Sequence, residues 1–150
     1  MHRTHRWTLW LSLALAWTCV DASAATRLGV FDAWIRAAPP GASMVAGYAT
    51  LKNTSDEPLV ILTVQSDAYR IASLHQTVVE EGVSKMRELH RLKMAPGETI
   101  QLAPGGMHLM LMQPRRDIAV GEKVEVRFLL FDGSRIETYF DVVAPDSNGD

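Results

Sequence analysis

Beyond residue 25 the chain is written in short runs of alternating or apolar residues, and no stretch carries a sustained 3.6-residue hydrophobic period. Lys123-Val124-Glu125-Val126-Arg127-Phe128 alternates polar and apolar, as a half-exposed strand does. Leu59-Val60-Ile61-Leu62-Thr63-Val64 is almost wholly apolar and predicts a strand buried on both faces. Clusters of turn formers punctuate these runs: Pro39-Pro40-Gly41, Asn53-Thr54-Ser55-Asp56, Glu80-Glu81-Gly82, Pro96-Gly97, Pro104-Gly105-Gly106, Gly121-Glu122 and Asp132-Gly133. Strands are predicted at 28–36, 44–52, 59–65, 70–78, 83–89, 98–102, 107–112, 123–131 and 135–143. Many short strands in so few residues predict one all-β domain, an antiparallel sandwich or barrel with Greek-key connections and almost no helix. Residues 144–150 read as a polar tail, and neither a repeat nor a second domain is apparent.

The first two dozen residues follow another logic. Arg3 and Arg6 precede an apolar run from Trp7 to Val20, and Asp21-Ala22-Ser23-Ala24-Ala25 supplies the small residues of an export cleavage site. The run falls short of the ~20 residues that cross a bilayer. Residues 1–24 are therefore expected to be a signal peptide, leaving 25–150 as an exported domain with no stable membrane insertion. The single cysteine, Cys19, falls inside that leader, so neither a disulfide scaffold nor a thiolate metal site is expected. With 15 basic and 17 acidic residues the chain has no basic footprint for nucleic acid.

The candidate chemistry lies in histidine and methionine. In Met107-His108-Leu109-Met110-Leu111-Met112, residues two apart share a strand face, so His108, Met110 and Met112 point one way. Alone, this run reads equally as a core strand that uses methionine as filler. His75 and Met86 flank the turn at Glu80-Glu81-Gly82. With Glu80-Glu81 or the segment from Val79 to Gly82 as the loop, His75 stands across from Met86; an odd loop puts them on opposite faces. Together, His75, Met86, His108 and Met110 offer two imidazoles and two thioethers, a neutral set that prefers Cu(I) over hard cations or zinc.

Met112 is expected to be core or to lie behind that site, Met44 and Met94 to be packing or loop residues, His90 to be exposed, and Trp34 to anchor the core. Asn53-Thr54-Ser55 reads as an ordinary turn. A blue-copper electron carrier needs a cysteine that the exported domain lacks. A copper oxygenase or Cu(II) carrier with an N-terminal histidine would need cleavage before a histidine, and Ala25 is the expected first residue. A metal-free binding or adhesion sandwich with a methionine-rich core stays open as the alternative. No G-x-S-x-G, H-E-x-x-H or glycine-rich phosphate loop is present, so binding rather than catalysis is expected.

The spacing of His75, Met86, His108 and Met110 resembles the signature of the PCuAC family. Asp32-Ala33-Trp34-Ile35-Arg36-Ala37, Pro39-Pro40-Gly41, Gly47-Tyr48, Leu51-Lys52-Asn53 and the run from Pro104 to Met112 are similar to further landmarks of that family, over nearly all of the exported domain. The resemblance implies a cupredoxin-like Greek-key β-sandwich that binds Cu(I) at those four residues. It also implies a periplasmic chaperone that delivers copper toward the binuclear copper centre of cytochrome c oxidase, often together with a Sco-type copper protein. Some members add a C-terminal tail rich in histidine and methionine that holds Cu(II). No such tail is present before Asp150, which leaves a second copper site without support.

Overall fold

In the computed structural model, residues 27–39 and 41–145 are described. The expected leader over 1–24 and most of the polar tail lie outside them. The described residues form ten strands and no helix: β1 (Leu28–Arg36), β2 (Met44–Asn53), β3 (Leu59–Gln65), β4 (Tyr69–Glu80), β5 (Val83–Leu89), β6 (Leu92–Met94), β7 (Thr99–Leu102), β8 (Met107–Pro114), β9 (Lys123–Leu130) and β10 (Arg135–Val143). They hydrogen-bond in the order β5-β4-β8-β7-β2-β1-β10-β9-β3-β6, with β8 also pairing β2. The result is the expected all-β, cupredoxin-like Greek-key sandwich, but its pairing is mixed rather than purely antiparallel, since β1 runs parallel to β10 and β7 parallel to β8. Leu109, Leu111 and Leu51 from one part of this ribbon share a fully buried core with Val126, Phe128 and Phe140 from another.

Alternation governs most of this. Along β9, Val124, Val126 and Phe128 point inward while the residues between them stay partly open. Along β8, Leu109 and Leu111 are fully buried, which turns His108, Met110 and Met112 to the opposite, outer face.

Three further expectations are corrected. β3 is not buried on both faces: Val60 and Leu62 alternate onto its more open face, and a bulge between Ile61 and Thr63 then shifts the phase, so that Thr63 is exposed and Val64 buried. A second bulge lies in β1 between Phe31 and Trp34, where Asp32 takes a positive φ of 49°. Before it Leu28 and Val30 face the core; after it Ala33 and Ile35 do. That change of phase puts Trp34 on the outer face against Tyr48, with ring centroids 4.5 Å apart, and not in the core. The short β6 was not foreseen either. It pairs with β3 at the sheet edge and buries Leu92 and Met94.

Asn53 is more than a turn residue. It is fully buried, and its amide donates to the carbonyls of Glu57, Met94 and Ala95 at 2.8, 3.3 and 3.0 Å. Its side-chain oxygen accepts from the Ser55 N–H and hydroxyl. Asn53→Ala strips partners from several buried groups, each worth ~1–3 kcal/mol when left unsatisfied. Urea denaturation should show a loss of about 3 kcal/mol; a loss below about 1 kcal/mol would mean that this network does not hold the β2–β3 connection.

Candidate metal centre

The outer face is built by the antiparallel pairing of β4 with β8. His75 stands directly across from His108, Ser73 from Met110 and Ile71 from Met112. The two imidazoles lie nearly parallel, with centroids 6.0 Å apart and planes 24° from one another. Leu74 and Leu109, paired one step away, point into the core and fix the phase of both strands.

The hairpin supplies the last candidate, two positions from where it was expected. The loop is Glu81-Gly82, with φ of 52° and 77°, the pair of positive angles that a type I′ hairpin turn requires. His75 therefore faces Glu88, and Met86 faces Thr77. The expected direct pairing of His75 with Met86 is corrected, but because the shift is even both stay on one face as diagonal neighbours. Such neighbours are separated by about 7–8 Å, which a long thioether side chain spans. Met110 is diagonal to His75 from the other side. The structure thus brings all four residues to one face, with the histidines adjacent and the methionines flanking them.

Burial is graded across this face. His108 is 5% exposed, His75 and Met110 are half-buried, and Met86, on the edge strand, is 53% exposed. The His108 Nδ1–H donates to the Gly106 carbonyl at 3.2 Å, which directs the Nε2 lone pair away from the backbone. Ser73 Oγ and His75 Nε2 share a hydrogen bond of 2.8 Å, while His75 Nδ1 is buried with no hydrogen-bond partner. When Nε2–H donates to Ser73, the Nδ1 lone pair is left free, an acceptor suited to a cation. Burial is the main cause that lowers the His75 pKa; His108 lowers it further and Glu88 opposes the shift. The neutral, ligating form is favoured. Among the described residues no three His, Cys, Asp or Glu side chains gather into a metal-binding group. The thioethers of Met86 and Met110 are the further donors that this face offers beside the two imidazoles.

Sequence reasoning also passed over Met44. It is the direct cross-strand partner of Met112, so both lie on this same outer face. Met44 is 53% exposed rather than packed. Met94, 1% exposed, is a core residue, and His90 is exposed as expected.

Several known proteins resemble the chain. The LpqE-like family model matches residues 28–142. The chain belongs to that family of lipoprotein-type proteins and so stands among exported proteins, and it shares the fold of PCuAC domains. It is 35% identical over 106 residues to a candidate lipoprotein of Leifsonia xyli subsp. xyli, Lxx21020, covering 70% of this chain and 63% of that one. With RP573 of Rickettsia prowazekii it shares 29% identity over 91 residues, 60% of this chain and 50% of that one. The chain thus spans only half to 63% of the length of these relatives. Among solved structures, the Cu(I) form of DR1885 from Deinococcus radiodurans matches with a TM-score of 0.64 and 27% identity, over 87% of this chain and 89% of that one. The copper-bound PCuAC domain of PmoF2 matches with a TM-score of 0.67 and 21% identity, over 80% and 95%.

Because the folded state holds His75 neutral, its folded pKa lies below the unfolded value. The associated stability is fully present above pH about 6.5 and is lost as the pH falls through the lowered folded value. An NMR titration of the metal-free protein should give a His75 midpoint below 6.5, and a midpoint at or above it would contradict this account of the site.

Proposed function

We propose that the chain is an exported copper chaperone that carries Cu(I) on His75, His108, Met110 and Met86. Its destination is the binuclear copper centre of cytochrome c oxidase, reached directly or through a Sco-type copper protein. The observation that carries the reading is the His75–His108 cross-strand pair. One ring is oriented by Gly106, and the other keeps a buried nitrogen without a partner. A buried unpaired polar atom is costly unless it serves a ligand. The flanking thioethers supply soft, neutral donors that favour Cu(I). A copper ion among four neutral ligands keeps a single positive charge and resists oxidation to Cu(II). Graded burial serves delivery, since the exposed Met86 is the ligand a partner's donor would displace first. The 27% identity with DR1885, solved in a Cu(I) form, supports the same assignment.

The metal-free adhesion sandwich requires methionines that fill the core. Met86 and Met110 sit instead on the outer face, and Leu109 and Leu111 fill the core beneath them. That disfavours the alternative. Nothing in the arrangement assigns a reacting group, and the site is read as one of binding rather than catalysis.

The test is a Cu(I) competition against a chelator at neutral pH. His108→Ala with Met110→Leu should weaken binding by more than ~100-fold, because even the hydrogen-bond partners of metal ligands are worth 10–100-fold. Affinity equal to that of the parent would contradict the site. For delivery, a deletion strain grown under copper limitation should lose cytochrome c oxidase activity and regain it with added copper. Full activity in that strain would contradict the assigned destination.

A further inference from the structure

The outer face holds more thioether than one copper site needs. Met44 on β2 and Met112 on β8 are direct cross-strand partners, and Met110 lies two residues before Met112 on the same face. Paired residues have Cβ atoms about 5 Å apart, and each methionine has three rotatable side-chain bonds, so two sulfurs can converge on one ion. The neighbours leave room. Met110 is flanked by Ala46 and Ser73, so no bulky side chain separates it from the pair. Met112 meets only the non-ligating Ile71 on its other side. Met44 also borders a cavity of 350 Å³ that opens to solvent.

We propose that Met44 and Met112 form a second, weaker station for a soft monovalent cation, beside the histidine-containing site and within reach of Met110. Thioethers are neutral and soft, so the station takes Cu(I) or Ag(I) and passes over zinc and calcium. It is weaker because it lacks imidazole and because the exposed Met44 must be ordered to bind. Its existence does not depend on the function proposed above; its role as a transfer point does. In transfer, Cu(I)–sulfur bonds to Met112 and then to Met44 form as the two Cu(I)–nitrogen bonds to His75 and His108 break and Met86 is released, while Met110 stays bound. Copper remains Cu(I), and no proton moves at the thioethers. The ion would so travel from the histidines along β8 to Met112 and across to the exposed Met44 on β2.

Methionine-methyl NMR of the purified protein, titrated with Ag(I) as a redox-inert probe, tests the station. The first equivalent should shift the Met86 and Met110 methyls, and the second those of Met44 and Met112. In Met44→Leu with Met112→Leu, the second step should vanish while the first is unchanged. His75→Ala with His108→Ala, which keeps all the methionines, should lose the first step yet keep the Met44 and Met112 response. Unshifted Met44 and Met112 methyls in the parent, or an unchanged second step in the leucine variant, would overturn the station. So would a first step weakened about tenfold or more in the leucine variant, since the pair would then belong to the first site. Loss of the Met44 and Met112 response in the alanine variant would overturn its independence. A first step that survives in the alanine variant would overturn the four-residue site alone and leave the station standing.

Discussion

Everything at the outer face depends on the phase in which β4 pairs with β8. Leu74, Leu109 and Leu111 are buried on one side of these strands, at about 2 kcal/mol for each leucine side chain removed from water. Sliding either strand by one residue would expose its leucines and drive His75, or His108 with Met110, into the core. The hydrophobic term that holds the sandwich together therefore also holds two imidazoles side by side. The candidate ligating groups need no separate device to bring them near one another. Orientation is then refined by two short-range contacts, Gly106 to His108 and Ser73 to His75.

The face is buried at one end and open at the other. His108 sits within the sheet, whereas Met86 rides on the edge strand β5, whose residues are exposed apart from the half-buried Leu89. An ion carrier needs both features. On the proposed reading, the buried His108 and half-buried His75 would give selection and retention, and the exposed Met86 at the rim would give a partner's ligand a place to begin exchange. Met44 repeats the exposed arrangement at the other end of the methionine row, on β2.

The regular strands could be read from the sequence because alternation is a period-two signal, and β9 is its clearest case. What alternation cannot show is where its phase breaks. Asp32 has no glycine to announce its positive φ, so the β1 bulge was invisible and Trp34 went to the wrong face. The hairpin register shifted by two because Gly82 belongs in the second position of a type I′ turn, a preference that the Glu-Gly pair itself could have signalled. The shift was even, so the face survived and His75 with Met86 remained on one side. Met44 carried no spacing signal; only the β2–β8 register, set by distant parts of the chain, brings it to Met112. Asn53 was hidden for a similar reason, since its carbonyl partners near Met94 lie some forty residues away.

The central claim is that imidazole nitrogen and thioether sulfur from this one face bind the same copper ion. X-ray absorption at the copper edge, on the purified protein loaded with one equivalent of Cu(I), reads the donor atoms directly. The account predicts a Cu(I) edge with a first shell that contains both imidazole nitrogen and sulfur. In His75→Ala with His108→Ala, the imidazole scattering should disappear. A shell without sulfur, or imidazole scattering undiminished in that variant, would contradict it.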